Sequence, residues 1–117
     1  MGELHITIGY TRRVKESFWR SHNIYSIDFL CPDNEDREVA IAIIDPIGQQ
    51  RMKTIISRSG NEPSRIERLC IRSDEKLFIG TKDACPVRID YEGKGHFEVV
   101  VDNGLYQKIK EELDQRS

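Results

Sequence analysis

The stretch TRRVKESFWRSH at positions 11–22 gathers Arg12, Arg13, Lys15 and Arg20 around two adjacent aromatics, Phe18 and Trp19. Lys and Arg neutralise phosphates, and aromatic faces stack on bases at roughly 1–3 kcal/mol per base, which together is how proteins hold single-stranded nucleic acid. Arg12, Arg13, Lys15, Trp19 and Arg20 are therefore the candidate anion- or nucleic-acid-binding residues. A structural explanation competes with that one. Basic residues commonly occupy solvated strand faces and edges, and the lone Trp of a small domain usually anchors its core. The two explanations part over where Trp19 goes.

Other chemistries have thinner support. His5, His22 and His96 stand far apart, with no H-x-x-x-H, H-E-x-x-H or C-x-x-C spacing, so no metal site is expected. No G-x-x-x-x-G-K-[ST] or G-x-G-x-x-G loop is present, and the glycines of EGKG at 92–95 suit a tight turn, so no nucleotide cofactor is expected either. Cys85, in TKDACP, and His96 on the following strand are a conceivable nucleophile and base, with Lys82 or Arg88 to favour the thiolate. Cysteines of small domains are more often inert. Asp74-Glu75 and Glu111-Glu112 are adjacent pairs in polar segments and read as solvation. The expectation is a non-enzymatic protein.

Composition limits the partners. The chain of 117 residues is 38% hydrophobic and 32% charged, which suits one folded domain spanning 1–117 with a packed interior. Its net charge of -2 means that attraction to a polyanion has to come from a local patch. Three cysteines without C-x-x-C spacing favour reduced thiols over a disulfide scaffold. The apolar stretches Val39–Ile44 and Phe97–Val101 are too short to cross a bilayer, and MGELHITIGYT lacks the order of a signal peptide. Cytoplasmic residence is the default expectation.

The elements that must position the candidate residues follow from periodicity. Leu4, Ile6, Ile8 and Tyr10 alternate with His5 and Thr7, and Tyr25, Ile27, Phe29 and Cys31 alternate with Ser26 and Asp28, which predicts two half-buried strands. If the first continues past Tyr10, Arg13 and Lys15 extend the polar face of His5 and Thr7, while Arg12 and Val14 take the apolar parity. PDNED at 32–36 closes the second strand. In REVAIAIID, Val39, Ile41 and Ile43 face one way and the small Ala40 and Ala42 the other, as in a central strand closely covered on its second side. Asp45-Pro46-Ile47-Gly48 then turns the chain. RMKTIIS and RIERLCIR are further strands separated by RSGNEPS, and Arg68 and Arg72 would widen the basic patch if theirs adjoins the first. Val87, Ile89 and Tyr91 alternate toward EGKG, and Phe97, Val99 and Val101 alternate after it, which predicts a hairpin. Leu105, Ile109 and Leu113 recur every four residues behind a cap at Asp102 or Asn103, which predicts an amphipathic helix over about 104–115. Its stripe would cover the domain's own sheet or dock in a partner's groove.

TRRVKES at 11–17 and RSDEKLFIG at 72–80 each resemble the strand-turn-strand opening of the carbon storage regulator (CsrA) RNA-binding proteins, and YQKI at 106–109 is similar to the start of their C-terminal helix. The resemblance implies a translational regulator that binds messenger RNA, and it ranks RNA above other anions. Three departures accompany it: Lys15 stands where that motif has Gly, the chain is much longer than the family's members, and Asp102-Asn103-Gly104 precedes the helix where the family carries a basic RNA-contacting segment.

The expected fold is mainly β, a single-domain antiparallel barrel or sandwich of about seven strands with one C-terminal amphipathic helix. The expected function is a binding module or regulator contacting an anionic partner, RNA first, through Arg12, Arg13, Lys15, Trp19 and Arg20. The alternative is a protein-protein interaction module or inhibitor acting through an exposed edge strand or loop. An open edge would also invite a homodimer.

Overall fold

Period-two alternation yields half-buried strands, and each apolar face needs a second layer to cover it. The computed structural model describes residues 3–31, 37–56, 64–93 and 95–116. The PDNED turn, the RSGNEPS segment up to Pro63 and Lys94 of EGKG lie outside the described residues. Among those described are strands β1 (Leu4–Lys15), β2 (Ser21–Cys31), β3 (Glu38–Ile44), β4 (Gln50–Ile56), β5 (Ser64–Arg72), β6 (Lys76–Thr81), β7 (Val87–Glu92) and β8 (Glu98–Val101), then helix α1 (Gly104–Arg116). They form two four-stranded sheets, ordered β5-β2-β1-β7 and β4-β3-β6-β8.

The inner faces meet in one core. Leu4, Ile6, Ile8, Tyr25, Ile27 and Phe29 of the first sheet pack with Val39, Ile41, Ile43, Leu77 and Ile79 of the second. The arrangement is sandwich-like, and neither sheet closes into a barrel. Two expectations are corrected here. The sheets are mixed rather than antiparallel, because β1 pairs with β7 and β6 with β8 in parallel. The expected hairpin between Val87–Glu92 and the strand after EGKG does not form, because β7 joins the first sheet and β8 the second. Separation lets Val87 on one sheet and Val99 on the other, with Phe97 just ahead of β8, approach the shared core, whereas a lone hairpin would leave one such face wet.

The second sheet is covered again on its outer side. Ala40 and Ala42 of β3 are small enough for α1 to lie close, and Tyr106 and Ile109 bury against them with Leu105 and Leu113 alongside. The helical stripe thus covers the protein's own sheet. Asp102 starts the helix as expected, with its Oδ1 accepting the Gly104 N–H at 2.9 Å. Lys110 then ties the helix to the sheet, its Nζ lying 2.9 Å from Oε1 of Glu38, whose Oε2 is 3.5 Å from Lys82 Nζ.

The hydrogen bond from Lys110, followed by one from Tyr106, holds the Glu38 carboxyl below its ordinary range despite its partial burial. A carboxylate with a lowered folded-state pKa contributes stability above its unfolded pKa and loses it as pH falls through the lowered value. Glu38→Gln is therefore expected to lower the urea midpoint at neutral pH, and the wild-type and variant curves should converge in acid. Parallel curves across the acid range would remove Glu38 from the account.

Candidate anion-binding site at a hairpin tip

The β1–β2 hairpin outruns its neighbours. β7 pairs with β1 only along Leu4–Gly9, and beyond Ile24 the β5 side keeps only the Ser73 N–H bond to the Asn23 carbonyl at 2.8 Å, so the hairpin runs on past both neighbours as a two-stranded ribbon. At its end the Glu16 and Ser17 N–H groups donate to the Arg20 carbonyl at 3.0 and 3.2 Å. Phe18 and Trp19 sit on this tip at 77% and 87% exposure, which overturns the expectation that the only Trp anchors the core. Their rings meet edge-on with centroids 4.8 Å apart, and Lys15 Nζ lies 5.4 Å from the Phe18 centroid, within cation–π range.

A bulge decides which basic residues join them. Pairing passes from Tyr10↔Tyr25 directly to Arg12↔Ile24, so Thr11 is the extra residue and parity inverts beyond it. Arg12 and Val14 consequently take the outer face of His5 and Thr7, and Arg13 and Lys15 the opposite one, the reverse of the expected assignment. Arg13, Lys15, Phe18, Trp19 and Arg20 line one concavity of about 390 Å³. Arg12 instead lines a different one, with Ile24, Cys70 and Arg72. Arg13 is set by Ser21, whose Oγ accepts from its Nε and NH2 at 2.9 and 2.6 Å.

The single acid within the stretch is turned away from this concavity. Glu16 folds back to the ribbon's root, where its carboxylate oxygens lie 2.9 Å from Arg72 NH1 and 3.0 Å from His22 Nε2. Asp74 completes the cluster, 3.0 Å from Arg72 NH2 and 3.2 Å from His22 Nδ1. The hydrogen bond from His22, and after it the charge of Arg72, keep Glu16 ionised below its ordinary range. An unsupported ribbon is only marginally stable, and this cluster pins it to the β5–β6 corner. The same contacts engage Arg72, while Arg68 is held by Asp28 at 2.8 Å. β5 adjoins β2 rather than β1, so neither arginine widens the tip patch.

Ile47, at 80% exposure, is a further apolar side chain at this end, and it borders a cleft shared with Glu16 and Arg20. The turn that raises it is built by Asp45, whose Oδ1 accepts the Ile47 and Gln49 N–H groups at 3.0 and 2.9 Å, and by Gly48 at φ 88°. A large aliphatic in the middle of a D-P-I-G turn was the sequence signal for it. The root cluster had no such signal, because His22 and Arg72 lie 50 positions apart.

The thiol candidate belongs to the core cluster. Cys85 is buried, and burial, then the charge of Asp83, pushes its thiol up and away from the reactive thiolate. Among the described residues no group of three or more His, Cys, Asp or Glu side chains converges to hold a metal ion. No helix among them is long and apolar enough to cross a membrane. No protein-family model, curated protein or solved structure matches the chain.

Proposed function

We propose that the protein is a non-enzymatic binding module whose projecting β1–β2 tip grips an anionic partner, single-stranded RNA first. The observation that carries this reading is the tip itself. Two exposed aromatic rings share one concavity with Arg13, Lys15 and Arg20, and Glu16 is engaged elsewhere. Bases offer faces for the rings and phosphates offer charge for the cations, so one ligand satisfies both. Arg12 makes no part of this grip.

The test is fluorescence-anisotropy titration of a random-sequence single-stranded RNA over a range of salt. Each phosphate contact contributes roughly 0.7 to the slope of log affinity against log salt for single strands. Lys15→Ala/Arg20→Ala is expected to flatten that slope by about one to two units, and Arg12→Ala to change it far less, with thermal midpoints unchanged. Absence of RNA binding at low salt would overturn the reading. Binding to anionic vesicles in its place would assign Phe18, Trp19 and Ile47 to a lipid surface.

A further inference from the structure

The flank of the sandwich opposite β4 and β5 carries a second candidate surface, independent of the hairpin tip. β7 is the last strand of the first sheet and pairs, among the described residues, with β1 alone. Its parallel ladder fixes which backbone groups are used. The Leu4 N–H donates to the Pro86 carbonyl at 2.9 Å, so the alternation turns the N–H and C=O of Arg88 and Asp90 toward β1. Those of Val87 and Ile89 point away from the sheet.

We propose that this edge pairs antiparallel with the same edge of a second copy, about a twofold axis at Ile89. In that register Ile89 faces Ile89 as a hydrogen-bonded pair, with N–H and C=O exchanged between the copies. Val87 falls opposite Tyr91 of the second copy. Arg88 falls opposite Asp90 of the second copy, and the twofold repeats that pair. Within one chain these two side chains already lie on the same face, Nε to Oδ2 at 3.5 Å, and both are exposed. The strand is therefore complementary in charge to its own antiparallel image.

Charge on another edge shows what a guarded strand looks like. β4 carries Arg51 and Lys53, and antiparallel self-pairing centred on Met52 or Lys53 would set cation against cation. β7 lacks that repulsion. Ile89 is also 38% exposed despite its inward parity, and Val101, on the inward parity of β8 at the edge of the facing sheet, stands exposed as well. A second copy would cover this apolar strip while extending the four-stranded sheet to eight strands.

Sedimentation velocity over a dilution series tests the pairing. The wild type is expected to pass from monomer to dimer with rising concentration. Arg88→Asp and Asp90→Arg each place two like-charge pairs across the axis and are expected to weaken the dimer roughly tenfold or more. The double variant R88D/D90R restores complementarity and is expected to recover wild-type association, which separates an interface effect from a folding defect. Ile89→Pro removes an outward N–H while sparing the ladder to β1, and is expected to abolish the dimer. A wild type that stays monomeric throughout, or a dimer indifferent to all four variants, would overturn the proposal.

Discussion

Alanine at both Phe18 and Trp19 is expected to weaken RNA binding at least about 30-fold, with no loss of thermal stability. The size follows from stacking, at roughly 1 kcal/mol or more for each ring that receives a base. Burial decides the second half of the expectation. The rings are 77% and 87% exposed and touch each other rather than the core, so their removal opens no cavity. The hairpin also keeps its other supports, the backbone bonds to the Arg20 carbonyl and the ion cluster of Glu16, His22, Arg72 and Asp74. Anisotropy titration beside thermal denaturation checks both halves. A loss of less than threefold would leave the aromatic pair without a part in recognition. Equal losses of affinity and stability would mean that the rings hold the tip's shape and do not stack on a ligand.

The alternation of Leu4, Ile6 and Ile8, of Tyr25, Ile27 and Phe29, and of Val39, Ile41 and Ile43 was enough to name the strands and the residues that fill the core. The small outward positions Ala40 and Ala42 foretold the close cover that α1 supplies. Periodicity carries no information about which sheet receives a strand. β7 and β8 therefore read as a hairpin, although their inward residues bury better on two facing sheets. The candidate site was legible in residue type and obscure in arrangement. One extra residue at Thr11 inverts every parity beyond it, and no glycine or proline marks that bulge. The exposure of Trp19 was equally hidden, since a lone Trp suits a core as well as a tip. The engagement of Glu16 by His22 and Arg72, which keeps its carboxylate out of the concavity of Arg13, Lys15 and the two rings, depends on contacts between distant parts of the chain.

Gly80→Ala is expected to cost about 2–4 kcal/mol of stability, at or above the usual range for an overpacked core. Gly80 lies on β6 opposite Ala40, beneath the first turn of α1. A β-carbon there would stand 2.3 Å from the Tyr106 backbone nitrogen and 2.9 Å from both the Leu105 carbonyl carbon and the Tyr106 Cα. These are main-chain atoms of a hydrogen-bonded helix, and no rotamer change can move them aside. The helix must lift, and in lifting it draws Tyr106 and Ile109 away from Ala40 and Ala42 and lengthens the Lys110–Glu38 contact. Gly9 provides the contrast, because a β-carbon on its outer face meets nothing within 4 Å. Gly9→Ala should be neutral or stabilising by about 0.5 kcal/mol, through the reduced freedom of the unfolded chain. Urea denaturation of the two variants beside wild type separates close approach from generic loss of a glycine, and comparable midpoints for both would refute the close-approach argument. The tip lies on the other sheet, so RNA affinity per folded molecule is expected to survive Gly80→Ala in conditions where the variant remains folded.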